Sequence, residues 1–331
     1  MSDSLASVKN NPSVNERVQV CLKDLIKLRY QVLGVSLKHM NIRAILSGSY
    51  LSKIKGRGME FDEVRLYMPG DDVRSLDWRV TARTGKPHTK LYREERERPV
   101  FLSVDYRSPM FFATQGAFKS VVAAKLAALM AWSSNQHSDR VGGQIFTDHE
   151  IVDFKPRRGN QAILHFLKNL ADLSGRLGWQ GITHHEGGAK SKAGLPATSL
   201  VEALEHLNRH AKPGSVIFLI SDFRGFNDEA ESLLVRIARH CEMVLILVYD
   251  SFERELPKSG RYRISNGMRR MTLNASDHAK VAEYSEIFKQ RHSRVKTLAV
   301  KCRMRFVDFC TTEDTVEILP KLVSEQRRAS G

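Results

Sequence analysis

Only four cysteines occur in 331 residues (Cys21, Cys241, Cys302 and Cys310), and no two form a CxxC pair. That excludes a disulfide scaffold and a cysteine-built zinc site, and it fits a reducing compartment. Long hydrophobic runs are missing too. The longest, Leu126–Trp132 and Met243–Tyr249, reach seven residues each, far short of a membrane span. No apolar stretch follows Met1, so secretion is not expected and the expected location is the cytoplasm.

Catalytic signatures are equally scarce. There is no GxSxG. The glycine and lysine of Thr84-Gly85-Lys86-Pro87 fail as a phosphate loop, because Val80 stands where the first glycine belongs and Pro87 where a magnesium-binding hydroxyl belongs. His149-Glu150 has no second histidine at zincin spacing. His184-His185-Glu186 sits in a polar stretch that makes a poor metal cage. Asp153-Phe154-Lys155 matches a nuclease carboxylate–lysine pair over three residues only, and strand alternation explains it.

What is present is a chain able to bury a large core, with 42% hydrophobic and 27% charged residues. The 52 Lys and Arg outnumber the 37 Asp and Glu, for a net charge of +15. Residues 1–100 carry 19 basic and 12 acidic side chains, so the excess is front-loaded. Such charge suits a nucleic-acid or anionic partner, but no aromatic-rich RNA motif or helix-turn-helix accompanies it. A solvated basic face is the favoured reading.

The pattern along the chain divides into three parts. Residues 1–46 hold a polar tail (Met1–Pro12) and a helix over about 16–33, where Val20, Leu25, Leu28 and Val32 recur at helical spacing. Residues 47–98 begin with a basic loop, Lys53–Gly58. They then become extended, with short runs at Val64–Met68 and His88–Tyr92, and read as a small β-rich module.

Residues 99–331 alternate short apolar strands with helices. Strands are expected at 100–105, 140–146, 150–155, 215–221, 243–249 and 304–309, and helices at 117–132, 159–173, 277–300 and from Thr312 onward. Ser199 opens a capping box, Asn227 caps a further helix, Thr183–Pro196 reads as a loop, and Asn266-Gly267 marks a hairpin. Unalternating strands between helices mean an α/β fold with a parallel sheet covered on both faces.

Two constellations carry the candidate chemistry. The first is the turn Pro69-Gly70-Asp71-Asp72-Val73-Arg74-Ser75-Leu76-Asp77-Trp78. Asp71 and Asp72 are candidates for a cation or a charged recognition edge. The favoured reading is a turn closed by aspartates, with Arg74 paired to Asp72 and Trp78 packed against the main domain. The second joins Asp105 and Ser108 to Ser221 and Asp222 at the ends of two strands. Such sheets place their sites there, and carboxylates with hydroxyls suit a hard cation such as magnesium.

The run Gly58-Met59-Glu60-Phe61, Glu63-Val64-Arg65, Tyr67–Asp72, Asp77-Trp78, Thr81-Ala82-Arg83 and Glu94-Glu95-Arg96 resembles the bacterial domain of unknown function numbered 58. The resemblance continues through Asp105, Met110, Lys119, Asp139-Arg140-Val141-Gly142 and Pro156, and more loosely through Ser221-Asp222-Phe223. It spans nearly all of the chain after residue 40. It implies a three-layer von Willebrand factor type A-like fold and a MoxR-type AAA+ ATPase as cellular companion, and it supplies no reaction.

The family's metal loop looks like Asp-x-Ser-x-Ser. Here Arg107 and Pro109 replace both serines around Ser108, and a guanidinium beside Asp105 competes with a dication. A degenerate site with no cofactor is therefore expected at Asp105, Ser108 and Asp222. The expected function is a non-enzymatic adaptor or assembly factor, working with that ATPase on an unidentified client. Its expected contacts are Asp71, Asp72, Arg74, Asp77, Trp78, Arg107 and Ser108. The competing expectation is a metal-dependent nuclease or nucleic-acid binder using Asp71, Asp72 and the basic N-terminal part.

Overall fold

The computed structural model describes residues 14–34, 59–94, 99–136, 139–177, 198–255, 260–265, 270–274 and 278–322. The tail before residue 14, the Lys53–Gly58 and Thr183–Pro196 loops, His184-His185-Glu186 and the Asn266-Gly267 turn lie outside the described residues. The chain divides into two compact units, one formed by residues 1–46 with 98–331 and the other by residues 47–97.

The large unit is built on six strands: β3 (Pro99–Asp105), β4 (Arg140–Phe146), β5 (Ile151–Arg157), β6 (Val216–Ser221), β7 (Glu242–Tyr249) and β10 (Arg305–Cys310), in the order β10-β7-β6-β3-β4-β5. All neighbours run parallel except the edge strand β5, which is antiparallel to β4. Successive side chains on a strand point to opposite faces. Val100, Leu102, Val104, Val216, Phe218 and Ile220 therefore enter one hydrophobic cluster, and Phe101, Ile217, Leu219, Leu245 and Leu247 the other.

The first cluster is closed by α2 (Leu22–Gly34), α4 (Lys119–Gln136) and α5 (Asn160–Leu177). The second is closed by α6 (Leu200–His210), α7 (Asp228–Ala238) and α8 (His278–Lys301). Helix α4 is rich in apolar residues and buried almost throughout. Its lysine at position 119 is buried with the rest.

Two expected elements differ from what forms. The helix expected over about 16–33 is split into α1 (Val14–Val18) and α2, with a break at 19–21. Val20 turns its side chain into the core, and its amide donates to Ser174 Oγ at 3.1 Å, leaving the helical ladder. The last helical segment opens on Asp314, not Thr312. The Asp314 carboxylate accepts the Val316 amide and caps a 3-10 turn over Thr315–Glu317.

In the small unit, β1 (Met59–Leu66) pairs antiparallel with β2 (His88–Glu94), and α3 (Trp78–Thr84) lies between them in sequence. Gly85 ends α3 in the left-handed conformation at φ 70°, a position that favours glycine. In the large unit, β8 (Arg261–Ser265) and β9 (Arg270–Asn274) form a separate antiparallel pair. Among the described residues, no helix is long and apolar enough to cross a membrane.

Candidate functional site

Strand β3 is the switch point of the sheet: β4 lies on one side of it and β6 on the other. The carboxyl ends of β3 and β6 flank the crevice where open α/β sheets hold their sites. Asp105 closes β3, Ser221 and Asp222 close β6, and Asp250 follows β7; all four are buried.

Asp105 is saturated with donors. Its Oδ1 accepts the Arg107 amide at 2.9 Å and Arg107 Nε at 3.0 Å. Its Oδ2 accepts an Arg107 terminal nitrogen at 2.7 Å and Ser221 Oγ at 2.6 Å. Arg107 is held in place by a further bond to the Arg224 carbonyl at 3.1 Å and lies 5.5 Å above the Phe146 ring. Burial pushes the Asp105 carboxyl upward, and the Arg107 charge and hydrogen bonds pull against it.

A second group sits beside it. Lys119 Nζ donates to Asp222 Oδ2 at 2.8 Å and to Glu253 Oε1 and Oε2 at 3.0 and 3.1 Å. Arg224 reaches over the same pair, 2.6 Å from Glu253 Oε1 and 3.4 Å from Asp222 Oδ2. Burial pushes Asp222 upward, but Lys119 and Arg224 outweigh it and leave the carboxyl below its ordinary range. The chain doubles back here through Phe223, a buried non-glycine residue at φ 55°. That left-handed conformation is costly for a residue with a side chain, and it aims the Arg224 amide at Asp222 Oδ1, 3.0 Å away.

Asp250 is held by neutral donors: the Thr114 amide (2.9 Å), Thr114 Oγ1 (2.5 Å), Thr311 Oγ1 (3.0 Å) and the Phe252 amide (3.0 Å). Gly116, at φ 77°, permits the approach of this loop, since a Cβ there would lie 2.3 Å from the Thr311 carbonyl oxygen. Ser108 donates through its hydroxyl and its amide to Asp148.

This donor set does not fit a hard dication. Magnesium requires carboxylate oxygens with open lone pairs and room for water. Here both Asp105 oxygens are occupied, and an ammonium already lies between Asp222 and Glu253. Ser108, the one loop hydroxyl retained, is turned to Asp148. Arg107 is only 7% exposed, so it serves the interior and does not offer a contact surface, contrary to expectation.

The turn of the small unit is arranged differently from its expected pairing. Asp72 accepts the Arg74 backbone amide at 3.0 Å, and it is Asp71 that pairs with a guanidinium, that of Arg65, at 2.7 Å. Short aspartate side chains reach nearby amides more readily than a distant head group, which explains the exchange. Asp77 caps α3 by accepting the Arg79 and Val80 amides, and the bond from Val80 leads the effects that hold its carboxyl below the ordinary value. Trp78 is 69% exposed.

Sequence reasoning missed the parts played by Glu253, Arg224, Thr114 and Thr311, and placed Lys119 only as a position in a resemblance. A signal existed for Lys119: a cation opening an otherwise apolar helix must find a buried partner. Glu253 carried one too, since Asp250-Ser-Phe-Glu253 has capping-box spacing, and both capping bonds form.

Together the sheet and its strand ends define a doubly covered α/β protein, with an internally neutralised charge network at its switch point. Residues 63–294 match the family described as protein of unknown function DUF58, and the chain belongs to that family. It is 27% identical over 287 residues to the uncharacterized proteins Rv1480 of Mycobacterium tuberculosis and Mb1516 of Mycobacterium bovis, spanning 86% of this chain and 85% of theirs. Among solved structures it is similar to the conserved hypothetical protein BatB of Bacteroides thetaiotaomicron at TM-score 0.40 and 13% identity, covering 70% of this chain and 99% of that one.

Proposed function

We propose that the protein is a protein–protein interaction module of von Willebrand factor type A-like architecture, acting as an adaptor or assembly factor for a MoxR-type AAA+ ATPase. One observation carries this reading. Leu66 (52% exposed), Met68 (61%), Val73 (58%) and Trp78 (69%) all fall within residues 66–78 of the small unit. Exposed large apolar side chains gathered in one short segment are the usual anchors of a docking surface, and tryptophan is prominent among them.

The strand-end network supports binding over turnover. The hydroxyls there donate to Asp105, Asp148 and Asp250 as fixed structural bonds, and Asp105, Asp222 and Glu253 are engaged by fixed cations. Asp71 and Asp72 likewise serve their own turn.

The test is a pull-down of a MoxR-type AAA+ ATPase from the same organism, using wild type, Trp78→Ala and Val73→Ala, with a thermal melt of each. Binding lost with the melt unchanged is the expected result. Binding retained by both variants overturns the assignment of this surface.

A further inference from the structure

At the opposite edge of the sheet from β10, three side chains converge that the strand-end network does not use. Asp153 lies on the edge strand β5, and His206 and His210 lie on α6. Their ligand atoms all fall within 4.8 Å of one another. Histidines four apart share one face of a helix. The sheet register sets Asp153 directly opposite Gln144 of β4, so both side chains rise toward that face.

The hydrogen bonds fix which ring nitrogens carry protons. Gln144 is fully buried, and its Nε2 donates to Ser103 Oγ at 3.0 Å and to the Ala203 carbonyl at 2.9 Å. A carbonyl only accepts, so the amide cannot be reversed, and its Oε1 is the atom that faces His206 Nδ1 at 3.2 Å. His206 Nδ1 must therefore donate. His210 Nδ1 lies 2.9 Å from the His206 carbonyl oxygen and must donate as well. The neutral form of each ring then carries its lone pair on Nε2.

For His206 that lone pair points at Asp153 Oδ2, 3.0 Å away. Two acceptors at that separation require a cation between them: a second proton on the ring, or a metal ion. The rings of His206 and His210 stack at 4.2 Å, which brings a second imidazole beside the first. Metal-binding histidines characteristically donate their other ring N–H to a carbonyl or carboxylate, and both rings here donate to a carbonyl oxygen.

We propose that Asp153, His206 and His210 form a binding site for a zinc-type dication, with the fourth position left to water or to a partner's side chain. Two imidazoles and one carboxylate are a ligand set for zinc or a late first-row neighbour, and a poor one for magnesium or calcium. A tetrahedral ion holding its ligands at about 2.0–2.1 Å sets those atoms roughly 3.3 Å apart, within reach of small side-chain rotations. Arg209 lies near enough to oppose a cation at His206, and the Asp153 carboxylate offsets it.

The test uses the full-length, tag-free protein stripped with chelator. Cobalt(II) is added and followed by visible absorption, then displaced by zinc in competition with a chromophoric chelator. Wild type is expected to take up one equivalent with a four-coordinate cobalt spectrum. His210→Ala, at an exposed position, is expected to weaken zinc binding by at least about tenfold, and Gln144→Leu by about 10–100-fold. The double variant His184→Ala/His185→Ala is expected to bind as wild type does. No uptake by wild type would show a plain imidazolium–carboxylate pair and overturn the proposal. Affinity unchanged in His210→Ala, or lost in the 184/185 variant, would overturn it too.

Discussion

Lys119 carries the largest single consequence at the residue scale. Removing this buried cation from between two buried carboxylates leaves them only the partly exposed Arg224, and that is far worse than never having had the pair. Lys119→Met is expected to lower unfolding free energy by about 3–5 kcal/mol, read by urea denaturation. A loss below about 1 kcal/mol would mean that the ammonium does not neutralise Asp222 and Glu253. Asp222 gives a prediction in pH. Its folded pKa lies below the ordinary 3.8, because Lys119 and Arg224 outweigh burial. Its stabilisation is therefore complete above that value and lost as pH falls through the folded pKa. The stability gap between wild type and Asp222→Asn should be full at pH 7 and close on acidification below about 4. A gap independent of pH would contradict the assignment.

The break between α1 and α2 tests the account at the scale of elements. Val20 sits in the core with its amide on Ser174 Oγ, so Ser174→Ala is expected to cost about 1–3 kcal/mol in denaturant unfolding. The segment's apolar spacing was legible in the sequence, but its interruption was not. A helical period gives no notice that one amide will find a partner 154 residues away. The aspartates of the 69–78 turn show the same limit: composition announced a turn closed by carboxylates, whereas which carboxylate met Arg65 depended on side-chain reach. In the small unit, Trp78→Ala and Val73→Ala remove exposed side chains and should change stability by no more than about 0.5 kcal/mol. Loss of ATPase capture by such variants would then report on binding and not on folding.

For the whole molecule, the short unalternating strands ending in Asp105, Ser221-Asp222 and Asp250 were enough to read a mostly parallel sheet. They also placed Asp105 and Asp222 together. Arg107 declared itself through its position two residues after Asp105. Arg224 stayed hidden because only the doubled-back chain at Phe223 brings it to the site, and Glu253 because it arrives from the short helical turn that follows β7. The Asp153, His206 and His210 group was less legible still, since it joins an edge strand to a helix more than forty residues away in sequence. The central claim is that Arg107 and Lys119 neutralise the strand-end carboxylates, leaving no place there for a hard dication. Calorimetric titration of the chelator-treated protein with magnesium tests it most directly. The expected result is no binding heat at millimolar magnesium, in wild type and Asp105→Ala alike. Sub-millimolar magnesium binding by wild type that disappears in Asp105→Ala would contradict it.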